Sequence, residues 1–438
     1  MSALVEKPFT HRRVLKIARP VVLSNASVPI LGAVATGVVG QLGTAAPIGA
    51  VGIGAMILSA IYWIFGFLRM GTAGLTAQAI GARDPGEIAA LLVRGLMIGG
   101  AAGLFFILFQ GPVFWAAFQL SPASAEVEGL ARSYLSIRVF SAPAAISIYA
   151  VTGWMVAHER THHVLILQFW MNGLNILLDL LFVLHFDWGV QGVASATLIA
   201  EWSGLLLALW LVRDGFSAQH WNNWPSIFDP VRLRRMAWVN GDIMLRSVML
   251  QIGFVSFLFY GAAFGDVVLA ANQVLLQFLY ITAYALDGFA FAAEALVGQS
   301  LGARNRAALR RAVFLNGVWA LFTVILLALA FAIFGDWLIA AMAKSVAVQQ
   351  AAGDYLFWMV LAPIMGGAAW LLDGVFIGAT RTADMRNMML VSLSAYFLAI
   401  WLLLDRFGNH GLWAALLIMF FVRGVTLALR YPSLEADA

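Results

Sequence analysis

Thr76-Ala77-Gln78-Ala79-Ile80-Gly81-Ala82-Arg83 returns 221 residues later as Val297-Gly298-Gln299-Ser300-Leu301-Gly302-Ala303-Arg304. Each copy ends a long apolar run with a glutamine, a glycine and an arginine in the same places. The same offset pairs Ala50 with Ala271, Tyr134 with Tyr355, Gly153 with Gly374, and Arg160-Thr161 with Arg381-Thr382. Later in each half the offset is 219, and Gly189 and Gly192 answer Gly408 and Gly411. Single identities mean little in apolar sequence. Several in one register mark an internal repeat.

What repeats is a set of membrane spans. The 438 residues are 62% hydrophobic and 11% charged, against about 25% charged in a soluble domain. So little charge cannot cover a water-facing surface. Apolar runs of about 20 residues recur, each long enough to cross a hydrocarbon core of about 30 Å. Alternation with period two is absent, so helices, which satisfy their own backbone, are the spanning element. Reading the apolar runs places helices near 14–40, 47–80, 89–119, 130–157, 162–186 and 189–213, then 240–264, 267–301, 309–343, 348–378, 386–404 and 410–430. A polar link at 214–239, with Asp214, Asn222, Asn223, Pro225, Asp229 and Pro230, separates the halves. The expected fold is an all-α integral membrane protein of twelve transmembrane helices. Its expected domains are two six-helix bundles, 1–219 and 220–438. Six spans per half give both copies one orientation, a parallel repeat about the membrane normal with a central cleft.

Composition narrows function further. There are no cysteines, which excludes disulfides and thiolate metal sites. Lys7, Arg12, Arg13, Lys16 and Arg19 precede an apolar stretch too long for a signal peptide, so it reads as the first span. The N-terminus, even-numbered loops and C-terminus hold 20 of the 26 Lys and Arg residues, which places both termini in the cytoplasm and the chain as a multi-pass protein of the cell inner membrane. The net charge of +4 belongs to those loops and implies no nucleic-acid partner. His158, His162 and His163 read as solvated loop residues rather than a metal site. No metal cluster or catalytic carboxylate pair stands out, so no enzyme is expected.

Ionisable residues inside spans are the candidates for function, because a carboxylate at the bilayer centre costs at least ~2.5 kcal/mol and must face protein or water. Asn175 and Asp179 lie four apart on one face of the fifth helix, and Glu201 follows Thr197 by four in the sixth. These residues form either a proton-binding network or interhelical hydrogen bonds. In the second half Asp287 and Glu294 share a face of the eighth helix, and Asp373 precedes Gly374 on the tenth. They form a second polar site, pair with Arg246, or cap broken helices. Asp242 and Arg246 are spaced as an interfacial ion pair. Pro20 and Pro29 can kink the first helix and are the candidate gate.

The run Pro29-Ile30-Leu31-Gly32-Ala33-Val34-Ala35-Thr36-Gly37-Val38-Val39-Gly40-Gln41-Leu42-Gly43 resembles the first-helix signature of the multidrug and toxic compound extrusion (MATE) family, in its DinF-like branch. Ala270-Ala271-Asn272-Gln273-Val274, Tyr284-Ala285-Leu286-Asp287-Gly288-Phe289, Glu294-Ala295-Leu296-Val297-Gly298-Gln299 and Leu372-Asp373-Gly374-Val375-Phe376-Ile377-Gly378-Ala379-Thr380-Arg381 are similar to further family motifs. The resemblance implies a cofactor-free antiporter, expected as a monomer, that exports small amphipathic or cationic organic compounds against protons or sodium. It matches Asn175, Asp179 and Thr197 to the family's ion site. It also implies an aspartate in the first helix, where this chain has Val34-Ala35-Thr36. An alanine cannot titrate, so impaired coupling is expected. The wider superfamily offers an alternative, a flippase for lipid or lipid-linked metabolites.

Overall fold

The structure, a computed structural model, describes residues 9–40, 45–120, 124–217 and 221–438, without the side chains of 28–36, 39–40, 45, 120 and 217. The described residues are almost entirely helical, with no strand among them. In chain order the helices are α1 (His11–Gly40), α2 (Ala45–Ile64), α3 (Gly66–Gly81), α4 (Pro85–Leu108), α5 (Gln110–Leu120), α6 (Ala125–Arg138), α7 (Ala142–Ala157), α8 (Thr161–Asp179), α9 (Gly189–Leu211), α10 (Pro230–Ala262), α11 (Asp266–Gly302), α12 (Arg306–Met342), α13 (Val346–Gly378) and α14 (Thr382–Ala436). Among the described residues ten helical stretches are long and apolar enough to cross a membrane. The last of them, α14, is broken at Gly408 (φ 54°) and makes two spans. With α1, the expected twelve are present.

The repeat reaches the helix boundaries. The α2–α3 stretch, 45–81, maps onto α11 at 266–302, and the α6–α7 stretch, 125–157, onto α13 at 346–378, both at the offset of 221. Backbone conformation repeats too. Arg83 and Arg304 adopt left-handed φ of 56° and 51°, Glu159 and Thr380 of 59° and 52°, and Gly189 and Gly408 of 53° and 54°. Non-glycine residues adopt this conformation rarely, chiefly where a helix must stop and turn. Paired exceptions at matching places indicate one folding unit used twice.

The link between halves is shorter than expected. The seventh span was placed at 240, but α10 begins at Pro230. Asp229 Oδ1 accepts from the backbone N–H groups of Val231 (2.8 Å) and Arg232 (3.1 Å), and proline suits a first turn whose N–H would be unused. Arg232, Arg234 and Arg235 therefore lie on a helix. Their charge marks the expected membrane edge, which hydropathy reads as a helix end.

Contacts divide the chain into two compact units. The N-terminal unit comprises Leu23–Thr76 and Asp84–Leu233; the C-terminal unit comprises the residues up to Val22, Ala77–Arg83 and Arg234–Ala438. Glycine permits a close helix crossing at the same place in each. In the N-terminal unit a Cβ on Gly153 would lie 2.2 Å from the Arg69 carbonyl oxygen; in the C-terminal unit one on Gly374 would lie 2.3 Å from that of Ala290. Both members of these pairs are related by the repeat offset. Without a hydrophobic force between helices in lipid, such backbone-on-backbone contact supplies much of the packing. The outward faces carry Phe259, Trp401 and Leu429, about three-quarters exposed and suited to lipid. Trp188, Trp221 and Trp224 are also exposed, beside the ends of apolar helices.

One histidine departs from expectation. His158 is buried, its ring 3.7 Å from that of Trp154 and its Nδ1 2.9 Å from the Trp154 carbonyl oxygen. Burial lowers its pKa to about 4. A folded value below the usual 6.5 means that the unfolded chain binds the extra proton first. Stability is then full above pH 6.5 and declines by up to ~3 kcal/mol as pH falls toward 4. Thermal unfolding in detergent between pH 4 and 7 should show this slope, flattened in His158→Gln. Gly374→Ala and Gly153→Ala should each cost ~1–3 kcal/mol through overpacking, whereas Gly241→Ala, with nothing within 4 Å of its Cβ, leaves the midpoint unchanged.

Candidate ion-coupling site

The polar face of α8 is built by spacing. Gln168, Asn172, Asn175 and Asp179 follow one another by four, three and four residues, which aligns them along one side of a helix. The other side shows Phe169, Trp170 and Leu177, all largely exposed. In a water-soluble helix this polarity would be reversed; in lipid the apolar side faces out.

Most of the polar face is tied to neighbours within the N-terminal unit. Gln168 Nε2 donates to Asn172 Oδ1 (3.1 Å), and Asn172 Nδ2 donates to Ser27 Oγ on α1 (2.8 Å). Ser27 in turn donates to the Ser24 carbonyl at 2.7 Å. Asn175 Nδ2 donates to Thr197 Oγ1 on α9 (3.1 Å), and that hydroxyl donates to the Val193 carbonyl (3.0 Å). Asn175 and Thr197 thus meet between α8 and α9, with Asp179 one turn along.

Asp179 is different. It is 1% exposed, and among the described residues neither carboxylate oxygen has a hydrogen-bond partner. Immediately after it the helix widens into a π-helix, Leu180–His185. Such widened turns are rare and concentrate at functional sites. The arrangement can hold a proton or a small cation, since the face offers carboxylate and amide oxygens and places no described cation beside Asp179.

The other expected site residues are distributed more widely. Glu201 makes a bidentate pair with Arg138 (Nη1 to Oε2 2.8 Å, Nη2 to Oε1 3.1 Å), and Arg138 also donates to Ser141 Oγ at 2.5 Å. Arg138, inside the expected fourth span, is the last residue of α6 and is buried. Asp287 is half-buried and Glu294 buried on α11 in the C-terminal unit. Asp373 accepts from both Arg246 and Arg423 through one oxygen, Oδ2. Asp242, expected to pair with Arg246, instead accepts from Arg386 (2.5 Å) and from the Thr382 hydroxyl (3.1 Å). Pro20 is half-buried within the unbroken α1, close to where Gly288 lets α11 approach the Ala18 carbonyl. The side chains of Pro29, Ala35 and Thr36 lie outside the described residues.

Sequence reasoning missed Ser27, Gln168, Arg138 and Arg423. A signal existed for the arginines: both fall inside expected spans, 130–157 and 410–430, where a charge must find a partner.

The MatE family model matches the chain twice, over residues 20–181 and 243–403. These segments recover the internal repeat. The DNA damage-inducible protein F of Escherichia coli is 40% identical over 94% of this chain and 90% of its own length. A probable multidrug resistance protein NorM of Deinococcus radiodurans is 27% identical, covering 96% of this chain and 94% of its own. Among solved structures, the Vibrio cholerae MATE transporter VcmN in its bent form superposes with a TM-score of 0.86, at 21% identity and with 97% of each chain covered. With two matches to the family model and such identity along nearly its full length, the chain belongs to the MatE family as a DinF-like multi-pass membrane transporter, and is not an enzyme.

Proposed function

We propose that the chain is a secondary efflux transporter of the inner membrane, exporting small amphipathic organic compounds, cations among them, against an inward flow of protons or sodium. Asp179 takes the coupling ion. The observation that carries this reading is a carboxylate 1% exposed, with both oxygens unpartnered among the described residues, on the inward face of a spanning helix. A bare buried carboxylate costs several kcal/mol. A proton or small cation removes that charge, and water must reach the carboxylate before the ion departs. Ion occupancy and the helix arrangement around Asp179 are thereby linked, which is what coupling requires.

Asn175 and Thr197 hold α8 and α9 in register beside this carboxylate, and Thr36 is assigned to the same site. Pro20 and Pro29 are the gate, as places where α1 can bend. In the C-terminal unit Asp287 and Glu294 are assigned to recognition of cationic substrate groups. Glu201, matched to Arg138, fixes α9 against α6. The transporter works as a monomer without a cofactor, both termini in the cytoplasm.

The flippase alternative calls for a concentration of uncompensated positive charge to take a pyrophosphate. Arg94 and Arg138 are buried but each meets a carboxylate, Glu87 and Glu201, and the buried Arg246 and Arg423 share Asp373, which leaves one positive charge over where a pyrophosphate carries at least two negative ones; this favours drug export.

In proteoliposomes with an imposed pH gradient and tetraphenylphosphonium as probe, Asp179→Asn should lower proton-dependent export on the order of tenfold, within the usual range of coupling energies. Full activity would leave Asp179 a structural residue. Ala35→Asp should raise proton-dependent export in the same assay by restoring a second carboxylate; an unchanged rate would remove position 35 from the coupling mechanism.

A further inference from the structure

The second buried charge cluster does not balance. Arg246 on α10, Asp373 on α13 and Arg423 on α14 all belong to the C-terminal unit and are 6%, 7% and 2% exposed. Both guanidinium groups donate to the same carboxylate oxygen through Nη2. One negative charge thus answers two positive ones. Among the described residues Arg246 Nε, Arg423 Nε and Arg423 Nη1 are buried without a hydrogen-bond partner.

A structural staple would not need the second arginine. Among the described residues the other buried arginines sit where charge balances: Arg138 pairs with Glu201, and Arg94 shares Glu87 with Arg232, which also meets Asp84. An uncompensated guanidinium in low dielectric costs several kcal/mol, and its idle donors add to that cost. Guanidinium donors in a fixed fork suit a carboxylate, sulfonate or phosphate. One partly exposed aromatic ring, Trp370, lies near them in the chain, backed by the buried Phe420. Trp370 and Phe420 lie one turn before Asp373 and Arg423 on their respective helices and stack with ring centres 5.2 Å apart.

We propose that Arg246 and Arg423 form an anion-binding site in the C-terminal unit that takes the acidic head of an amphipathic ligand, with Trp370 against its flat apolar body. Asp373 holds the two arginines side by side and limits the net charge to one, so the site suits a single anionic group. Its role in transport rests on the efflux reading; the binding itself does not. The site extends the substrate range from cations to zwitterions and organic acids, and its chemistry fits equally the phosphate of an anionic lipid.

The test is binding to purified full-length protein in phosphatidylcholine nanodiscs, with naphthalene-2-sulfonate and its trimethylammonium counterpart as probes. The wild-type protein should bind the sulfonate at least tenfold more tightly, and Arg423→Gln should weaken that binding by about tenfold or more without affecting the ammonium probe. Asp373→Asn should tighten sulfonate binding, because it raises the net charge of the cluster. A purely structural triad predicts no such gain, and this variant decides the matter if Arg423→Gln fails to fold. Equal binding of the two probes, or no tightening in folded Asp373→Asn, overturns the proposal. Competition by phosphatidylglycerol identifies a lipid head as the natural anion; its absence identifies a soluble substrate. Loss of export in proteoliposomes with sulfonate binding intact would count against the efflux reading alone.

Discussion

Charge buried where no water can reach must be answered by other charge, and this requirement organises both units. Arg138 holds Glu201 with two hydrogen bonds. Arg94 meets Glu87 and also donates to the carbonyls of Ile227 and Ser226, fastening α4 to the link between halves. Asp242 is answered by Arg386 and Thr382. Apart from Arg94–Glu87, which spans two turns of α4, these contacts join segments distant in sequence. Once these pairs are recognised, the places where matching fails stand out: Asp179 in one unit, and the arginines around Asp373 in the other. A matched pair fixes helices, whereas an unmatched group is costly unless something arrives to satisfy it. The imbalance at these two places has opposite sign.

Duplication supplies the frame in which these groups sit. Gly153 over Arg69 and Gly374 over Ala290 make the same crossing in the two units. The short connections after α3, α7 and their counterparts stop with matching left-handed residues. The framework is repeated but the chemistry on it is not. Asn175 and Asp179 correspond at the offset of 221 to Tyr396 and Ile400, both buried in the apolar core of the C-terminal unit. Asp373 corresponds to Thr152, which is uncharged.

Fold and repeat were legible in the sequence because both depend on local pattern. Apolar length counts spans, and a constant offset reports duplication. Asn175, Thr197 and Asp179 were legible because helical spacing alone places the first and last on one face. The partners of charged residues were less so. The pairing of Asp242 with Arg386, and of Arg246 with Asp373, depends on which distant helices meet, and the four-residue spacing of Asp242 and Arg246 pointed to a pair that tertiary packing replaces. Arg423 escaped for a related reason: a single arginine near the end of an apolar run has the composition of a loop boundary, although α14 carries it on with Phe420 beneath it. His158 shows the limit again, since packing on Trp154 removes from water a residue whose place in a loop had suggested it was wet.

The π-helix after Asp179 has a further consequence. From Thr161 to Gly189 the chain takes 28 steps, and from Thr382 to Gly408 it takes 26. The two extra residues of the earlier half fall in the interval that contains the widened turns Leu180–His185, where more chain fits into the same rise. A copied helix has therefore absorbed its surplus directly beyond the lone carboxylate. The two halves keep time with one another along most of their length and lose step beside a buried acid whose oxygens, among the described residues, meet no partner.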